Sequence, residues 1–442
     1  MELSPSIFKA YDIRGIIDQT LDPSIAKLIG QAFGTEMREL GETEIVIGRD
    51  GRLSGPSLID ALTEGLLSTG VHVIDLGMVA TPMVYFGANQ VLNGKSPKSG
   101  IMITGSHNPP NYNGFKMVLG GAAIYGDQIQ ALRKRIEAKQ FAAGHGDRTT
   151  FDIFPMYLER IVSDVKLARP MKIAVDCGNG VGGAFAGKLF TALGCEVQEL
   201  FCEVDGKFPN HHPDPAHLEN LQDLIKNLQT TDNELGLAFD GDADRVIMCD
   251  EKGEIIDGDQ IIAMIARNWK KKKILKGGVV GTLMTNLGLE NYFKHNNIKF
   301  YRANVGDRYV KEKMNSLKYN LGGEQSGHII LGNIATTGDG LLVALEVLNS
   351  LKNNGKASKV FSVFKKVPQV LENIKVKNKN VVENKSLKVK INQIDKNLKQ
   401  EGRLLVRKSG TENVVRIMVE SSDKKLIKDT VNEVKKLILN YA

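Results

Sequence analysis

One pattern of apolar and polar positions occurs three times along the chain. In each copy a β-rich apolar run reaches a turn with glycine or asparagine, continues with apolar residues three or four positions apart, and ends in a second β-rich run. The copies begin at Ile45 (IVIGRDGRLSG), Lys172 (KIAVDCGNGVGG) and Gly278 (GVVGTLMTNLG). This strand–helix–strand order predicts mostly parallel sheets covered by helices, because parallel neighbours need a crossover connection. Its repetition predicts three related α/β domains.

The pattern ends near residue 365, where the composition changes. Residues 365–402 are rich in lysine and asparagine, and RLLVRKSGTENVVRIMVE from Arg403 then predicts two strands around a tight turn before a final helix. The lysines alternate with valine, leucine and isoleucine among few aromatic residues, which favours a solvated sheet face over a nucleic-acid patch. We therefore expect a smaller α+β fourth domain. The expected domains are 1–150, 151–252, 253–365 and 366–442.

The overall composition is that of a globular protein with a mildly basic charge. The 442 residues are too many for one core, and 42% hydrophobic with 25% charged residues is ordinary. A net charge of +7 suits an anionic substrate and a nucleic-acid surface about equally. The four cysteines show no C-x-x-C spacing, and the first residues, MELSPSIFKAYDIRG, lack a basic segment followed by an apolar run. Since no apolar stretch reaches about 18 residues, we expect a cytoplasmic protein without a membrane span.

The stretch GIMITGSHNPPNYNGFK places a reactive side chain in a rigid loop. A short apolar strand opens into a polar loop with Ser106, His107 and two prolines, and Lys116 lies at its exit. Such a loop buries little apolar surface and holds its shape. It is therefore suited to presenting a nucleophile.

A second loop, LAFDGDADRVIMCDEKGE, carries three aspartates at alternate positions. Asp240, Asp242 and Asp244 would repel one another without a cation, and their hard oxygen ligands suit Mg²⁺ or Ca²⁺. The spacing approaches that of an EF-hand. Arg245 stands where that motif needs glycine, and the flanking segments predict strands, so an EF-hand is excluded.

Two further loops have the chemistry of phosphate and sugar recognition. In VRKSGTENVVR, cations, hydroxyls and a glycine with exposed backbone N–H groups suit a phosphate dianion. In LGGEQSGHIIL, a carboxylate and a hydroxyl between glycines suit vicinal sugar hydroxyls, although a plain turn fits as well.

The glycine turn CGNGVGG leaves a nucleotide-binding alternative open. Gly178, Gly180 and Gly183 have G-x-G-x-x-G spacing after a strand, and Glu199 lies at a distance suited to a ribose contact. The signal is weak, since such turns occur wherever a strand and a helix pack closely. A nucleotide- or nucleic-acid-binding protein is therefore the alternative of a different class.

Together the loops supply a serine nucleophile, a cation site, a phosphate clamp and a polyol clamp, which is the equipment for phosphoryl transfer on a phosphosugar. The motifs FKAYDIRG, TGSHNPPNYNGFK, DGDADR, GEQSGH and RKSGTE occur in the order known from the α-D-phosphohexomutases, and the chain resembles that family over essentially its whole length. The resemblance implies three similar mixed α/β/α sandwich domains and a fourth domain with a helix-backed antiparallel sheet, around a central cleft. A phosphatase that releases the phosphate to water is a second enzymatic reading.

The resemblance also implies roles for individual residues. Ser106 carries the phosphate, and Mg²⁺ is bound by the phosphoserine oxygen with Asp240, Asp242 and Asp244. The implied catalytic residues are Ser106, His107, Lys116, Arg245 and Arg14. The implied substrate-binding residues are Tyr11, Arg308, Glu324, Ser326, His328, Arg407, Ser409, Gly410, Thr411 and Arg416.

The implied reaction interconverts hexose 1- and 6-phosphates in two transfers through a bound hexose 1,6-bisphosphate. We expect a phosphosugar substrate, no nucleic-acid or membrane partner, and a monomer or homodimer. Up to about residue 240 the motifs are similar to phosphomannomutase/phosphoglucomutase, and beyond it they are similar to phosphoglucosamine mutase. The first half favours mannose and glucose, with glucosamine as the alternative. Gly105, where the family more often has alanine, is expected to loosen the serine loop slightly.

Overall fold

The computed structural model describes residues 3–441 except 165–166, 168, 352–354, 399–401 and 409–412. Its first sheet has the strand order β1-β5-β4-β2-β3-β7, with β6 paired to β5. The strands are β1 (Ile13–Ile16), β2 (Glu44–Arg49), β3 (His72–Met78), β4 (Ser99–Ile103), β5 (Tyr112–Leu119), β6 (Ala122–Ala123) and β7 (Arg148–Thr150). The helices are α1 (Pro23–Glu39), α2 (Gly55–Leu67), α3 (Thr81–Gly87) and α4 (Asp127–Glu137). The repeat from Ile45 forms parallel β2 and β3 with α2 between them, as predicted.

The second sheet has the order β12-β11-β10-β8-β9. The strands are β8 (Lys172–Asp176), β9 (Glu196–Leu200), β10 (Leu235–Phe239), β11 (Val246–Asp250) and β12 (Ile255–Ile256), and the helices are α5 (Phe154–Asp164), α6 (Ala186–Ala192) and α7 (Gln222–Thr230). Strands β8 and β9 are parallel, whereas β10 and β11 are antiparallel around the aspartate loop. Strands on both sides of that loop confirm that it is not an EF-hand. Because β12 pairs with β11, this sheet extends past the expected start of the third domain at residue 253.

The third sheet has the order β14-β13-β15-β16. The strands are β13 (Gly278–Thr282), β14 (Lys299–Ala303), β15 (Leu321–Gly323) and β16 (Ile329–Leu331). The helices are α8 (Gly258–Lys271), α9 (Leu287–His295), α10 (Asp307–Leu317), α11 (Gly340–Leu348) and α12 (Ala357–Phe361). Strands β13 and β14 are parallel, so the third predicted repeat is confirmed.

The fourth sheet is antiparallel, with β19 between the other two strands. It contains β17 (Gln369–Lys375), β18 (Gly402–Lys408) and β19 (Val414–Ser421), and its helices are α13 (Lys385–Leu398) and α14 (Lys424–Leu439). The two predicted strands and the final helix are confirmed. The interpretation of the lysine-rich segment as a sheet face is wrong over 385–398, where it forms α13. Leu387 and Leu398 of that helix enter the core, so its apolar residues serve a helical face.

Apolar packing joins the first three domains and separates the fourth. One buried cluster runs without a break from Val46 of β2 through Val175 of β8 to Leu345 of α11. The fourth domain has its own cluster around Val415, Ile417 and Val419 of β19. None of the helices in the described part of the chain is long and apolar enough to cross a membrane.

Candidate active site

The serine loop connects β4 and β5 and points its hydroxyl at the second domain. Ser106 is buried and has a backbone φ of 49°, a left-handed conformation that non-glycine residues rarely adopt. Its Oγ donates to Asp240 Oδ2 at 2.9 Å and lies 3.2 Å from His107 Nδ1. A hydroxyl held in a strained conformation against a carboxylate is a feature of functional sites.

The three aspartates form one compact acidic cluster. Asp240, Asp242 and Asp244 are buried, and one carboxylate oxygen of each lies within 4.8 Å of the others. Oδ1 of Asp242 and Oδ1 of Asp244 are buried without a hydrogen-bond partner among the described residues. Buried unpaired carboxylate oxygens are expensive, and a hard divalent cation would satisfy them. The donor set therefore fits a metal ion such as Mg²⁺.

Two neighbours occupy the other oxygen of Asp242. Lys116 Nζ lies 2.6 Å from Asp242 Oδ2 and 2.6 Å from Asp244 Oδ2, and the Thr81 hydroxyl donates to Asp242 Oδ2 at 2.5 Å. Burial lowers the pKa of Lys116, but Asp242 and Asp244 outweigh it, so the pKa is raised and the ammonium stays charged. Lys116 therefore stands beside the serine loop as a fixed positive charge.

The pKa values of Asp240 and Asp244 are shifted in opposite directions because their surroundings differ. Burial raises the pKa of Asp240 well above its ordinary value, and the charges of Asp242 and Asp244 raise it further. Burial also opposes ionisation of Asp244, but Lys116 and His328 outweigh it and hold that pKa well below the ordinary value. A bound cation would remove the mutual repulsion and favour ionisation of all three.

His107 and Arg245 complete the inner cluster. Burial lowers the pKa of His107 to about 2, assisted by the charges of Arg245 and Arg14, so the ring is neutral. Burial also lowers the pKa of Arg245, but Asp240 and Asp244 reverse this and raise it. Arg245 therefore adds a second fixed positive charge. The neutral His107 ring has one nitrogen that can accept a proton.

The third domain brings its predicted sugar loop against the aspartate loop. His328 Nδ1 lies 3.5 Å from Asp244 Oδ2, and the Gly338 backbone N–H donates to His328 Nε2 at 3.2 Å. Nδ1 is therefore the nitrogen that carries a proton. Glu324 Oε1 accepts the Gly306 N–H at 3.0 Å, and burial raises the pKa of that carboxyl. Ser326 lies between the two residues and is partly exposed.

The N-terminal motif contacts both the serine loop and the third domain. Arg14 donates to Asn108 and, at 2.5 Å, to Asp12. The Tyr11 hydroxyl donates to the Val305 carbonyl at 3.4 Å. Tyr11 thus lies where the first and third domains meet, and Arg14 braces the serine loop.

Arg308 is engaged within the protein. Its guanidinium stacks on the Tyr125 ring with Cζ 3.6 Å from the ring centroid, and Nε lies 3.2 Å from Glu312 Oε1. These contacts tie α10 to the first domain.

The predicted phosphate residues lie on the fourth sheet. Arg407 of β18 and Arg416 of β19 are direct partners across the antiparallel pair. Burial lowers the pKa of Arg407, and the like charge of Arg416 lowers it further. The Nε of each is buried without a hydrogen-bond partner among the described residues, so an anion would relieve both repulsion and unsatisfied donors. The predicted residues Ser409, Gly410 and Thr411 lie outside the described residues.

The glycine turn after β8 supports the acidic loop by close backbone packing. A Cβ on Gly180 would lie 2.9 Å from Gly241 Cα, and a Cβ on Gly178 would lie 3.0 Å from His211 Cε1. The Val181 N–H donates to the Gly241 carbonyl at 3.1 Å. Glu199 packs against Gly187 of α6. These close backbone contacts explain why glycine occurs at these positions, so no bound nucleotide is needed to explain them.

Residues absent from the sequence-based set also build the site. Thr81 orients Asp242, and the buried pair Asp50 and Arg52 lies directly behind the serine loop. Asp50 follows the carboxyl end of β2, as Asp176 ends β8 in the second repeat. Functional side chains gather at the carboxyl ends of parallel strands, so this equivalent position was an available signal.

Four domain families match the chain in order. They are "Phosphoglucomutase/phosphomannomutase, alpha/beta/alpha domain I" at residues 5–143, domain II at 155–253, domain III at 257–367 and the C-terminal domain at 371–437.

Relatives match over most of their length. The chain is 42% identical over 446 residues to a phosphoglucosamine mutase of Pelagibacter ubique, covering 96% of this chain and 97% of the relative. It is 44% identical over 366 residues to a phosphomannomutase/phosphoglucomutase of Pseudomonas aeruginosa, covering 82% and 78%. The solved structure of a phosphoglucomutase/phosphomannomutase family protein from Burkholderia thailandensis superposes with a TM-score of 0.90 at 38% identity, covering 100% and 98%. The chain therefore belongs to the phosphoglucomutase/phosphomannomutase family, in the α-D-phosphohexomutase superfamily, and is an intramolecular phosphotransferase of the phosphohexomutase type.

Proposed function

We propose that this phosphohexomutase interconverts hexose 1-phosphate and hexose 6-phosphate through a phosphorylated Ser106. The observation that carries the proposal is the position of the buried Ser106 Oγ, 2.9 Å from Asp240 Oδ2, in a carboxylate cluster where two oxygens have no hydrogen-bond partner among the described residues. Ser106 with Asp240, Asp242 and Asp244 would hold Mg²⁺, which when bound neutralises charge on the transferring phosphoryl group.

Each transfer exchanges one O–P bond for another. Phosphoserine loses its Oγ–P bond as the free substrate hydroxyl forms a new one, which yields a bound hexose 1,6-bisphosphate. After the intermediate turns over, Ser106 Oγ attacks its other phosphorus, the bond from that phosphorus to the sugar oxygen breaks, and the leaving sugar oxygen takes up the proton that Ser106 gives up. The hydroxyl proton of Ser106 then faces Asp240 Oδ2 at 2.9 Å, and the neutral His107 ring lies beside it with Nδ1 3.2 Å from Oγ. Lys116, Arg245 and Arg14 supply positive charge around the phosphoryl group.

The opposite end of the substrate is held by the third and fourth domains. We assign the sugar hydroxyls to Glu324, Ser326 and His328, on the support of their position beside the acidic cluster. The distal phosphate is assigned to Arg407 and Arg416, together with Ser409, Gly410 and Thr411. Tyr11 and Arg308 border the cleft between the first and third domains. The bisphosphate intermediate has a phosphate at each end. The same sugar and phosphate clamps can therefore bind it in either of its two orientations.

The proposed sugars are mannose and glucose, with glucosamine as the second candidate. The 44% identity to a phosphomannomutase/phosphoglucomutase supports the first, and the match to a phosphoglucosamine mutase over 96% of the chain supports the second. A side-by-side mutase assay on mannose, glucose and glucosamine phosphates, primed with hexose bisphosphate, decides between them. We further propose a cytoplasmic monomer or homodimer that acts on free phosphosugars.

The function is tested by replacing the nucleophile. We expect Ser106→Ala to lower kcat by at least about 10³-fold and to abolish the phosphopeptide at residue 106 in mass spectrometry. Ser57→Ala removes a serine hydroxyl exposed on α2 and should leave both unchanged. An active enzyme without phosphate on Ser106 would contradict the proposal, and free phosphate released at the rate of substrate loss would indicate a phosphatase.

A further inference from the structure

The guanidinium of Arg52 lies behind the serine loop, and every one of its N–H groups has an acceptor. Nε donates to Asp50 Oδ2 at 3.2 Å. The two terminal nitrogens donate to four loop carbonyls, of Ser106 at 2.8 Å, Asn108 at 2.6 Å, Pro109 at 2.6 Å and Tyr112 at 2.9 Å. Five donors is the full capacity of an arginine. One buried side chain thus connects the beginning and the end of the loop that bears the nucleophile.

Asp50 connects Arg52 to the other side of the same loop. Its Oδ2 accepts the Thr104 hydroxyl at 2.7 Å, and Thr104 Oγ1 in turn accepts the Ser106 N–H at 2.7 Å. The Ser106 N–H and C=O are therefore both held by the Asp50–Arg52 pair, directly or through one residue. This bonding restrains the residue at its φ of 49°.

The space beside Gly105 is filled by the same guanidinium. A Cβ at position 105 would lie 2.4 Å from Arg52 Cζ. Gly105 therefore does not loosen the loop as expected from the sequence, because the missing methyl group is replaced by the arginine. Glycine here permits the close approach that lets Arg52 reach the loop carbonyls.

The second domain covers the guanidinium from another side. The Phe208 ring centroid lies 5.1 Å from Arg52 Cζ, a cation–π distance. A Cβ on Gly206 would lie 2.8 Å from Arg52 Cα, and a Cβ on Gly241, within the acidic loop, would lie 2.3 Å from the Ser106 carbonyl oxygen. Arg52 thus lies where the serine loop and the domain that carries the aspartates meet.

We propose that Arg52 is a positioning residue for phosphoryl transfer, which keeps the Ser106 hydroxyl aligned with the acidic cluster by fixing the loop carbonyls. The proposal rests on Ser106 as the phosphate carrier. It predicts that replacing Arg52 slows phosphoryl transfer and leaves substrate binding unchanged, because the clamps for sugar and distal phosphate lie on other domains. A misplacement of about 1 Å can cost about 10²-fold in rate.

The test compares Arg52→Lys with Arg148→Lys. Lysine keeps the charge but has three donors for five acceptors. Arg148 of β7 also pairs with buried and surface carboxylates, Asp75 and Asp60, but lies away from the loop, so R148K controls for a weakened arginine. For R52K we expect kcat, and the single-turnover transfer from hexose 1,6-bisphosphate to Ser106, to fall about 10²-fold with KM changed less than about threefold. R148K should keep both constants.

A double-variant cycle with Gly105→Ala tests whether the effect passes through the loop contact. The added methyl displaces the guanidinium, so G105A should lower kcat with KM retained, and R52K/G105A should be no slower than the slower single variant. If R52K does not fold, G105A alone tests the proposal, which then requires a lower kcat with KM retained. The proposal is overturned if R52K or G105A retains kcat within about threefold, if KM rises in proportion, or if the effects multiply. Wild-type protein is first assayed for phosphate on Ser106, so failure of the proposed function is recognised separately.

Discussion

Two of the residues with a left-handed backbone lie where the hydroxyl and the carboxylates meet. Ser106 and Ala243 have φ values of 49° and 59°, conformations that cost non-glycine residues about 1 kcal/mol or more. Each strained residue lies in a loop that is braced from behind, by Arg52 for Ser106 and by the Gly340 N–H donating to the Ala243 carbonyl at 3.1 Å. These bracing contacts hold Oγ and the carboxylates in place before substrate arrives.

Replacing Asp242 tests the metal site at the scale of one residue. Its Oδ1 has no hydrogen-bond partner in the described part of the chain, while its Oδ2 accepts from Lys116 and Thr81, so asparagine would lose either a ligand oxygen or these contacts. We expect Asp242→Asn to raise the Mg²⁺ concentration for half-maximal activity at least about tenfold and to weaken Mg²⁺ binding in calorimetry equally. Chelator should inactivate the wild type, and added Mg²⁺ should restore it.

The control for that change is Asp429→Asn, which neutralises an exposed carboxylate on α14. It should leave both Mg²⁺ readouts unchanged. Equal Mg²⁺ affinity in D242N and wild type would contradict the assignment of Asp242 as a ligand.

At the scale of elements, helix caps connect neighbouring domains. Asp339 caps α11, where its Oδ1 accepts the Leu342 N–H at 3.0 Å, and its Oδ2 accepts the Tyr157 hydroxyl of α5 at 2.7 Å. Asp257 caps α8, and its Oδ2 also lies 2.8 Å from Lys366 Nζ, in the segment that leads into β17. These caps fix the starts of two helices that lie beside the loop with the proposed sugar-binding residues.

The buried cap Asp339 should make stability depend on pH. Burial raises its pKa to about 6, above the value near 4 of an unfolded chain. The folded state then binds the proton more tightly, so this group lowers stability as pH rises from about 4 to 6. Asp339→Asn stays neutral, and we expect it to gain about 2–3 kcal/mol relative to wild type between pH 4 and 7 in thermal unfolding.

The exposed cap Asp423 of α14 provides the comparison, because it lies at the surface. Asp423→Asn should follow the pH dependence of the wild type. A constant difference between D339N and wild type across this pH range would show that burial of Asp339 does not produce the effect.

For the whole molecule, the fourth domain is attached mainly by polar contacts. Glu420 Oε1 accepts the Leu287 N–H at 3.1 Å, and Arg403 donates to the Leu283 carbonyl at 2.5 Å. Its apolar core is separate from the core that joins the other three. The proposed anion site on the fourth sheet and the proposed nucleophile Ser106 in the first domain therefore belong to different packing units.

This separation predicts that binding and transfer respond differently to Arg416. Loss of one charged contact to phosphate costs about 1.5–3 kcal/mol, so Arg416→Met should raise KM for the phosphosugar about 10- to 100-fold. The fraction of Ser106 that carries phosphate after bisphosphate treatment at saturation should be unchanged. Arg416→Lys should show a smaller rise, and unchanged KM in R416M would exclude the distal-phosphate role.

The sequence by itself determined the three strand–helix–strand repeats, the two strands and helix of the last domain, and the nucleophile and ligand residue types present in the serine and aspartate loops. These features are local, since short segments of sequence specify the hydrophobic periodicity, the turn residues and the ligand types. Only the tertiary structure decided that Thr81 would meet Asp242, 161 positions away, and that Arg52 would fill the space beside Gly105. It also decided that the lysine-rich segment forms α13, because a short mixed run takes its conformation from the core it can reach.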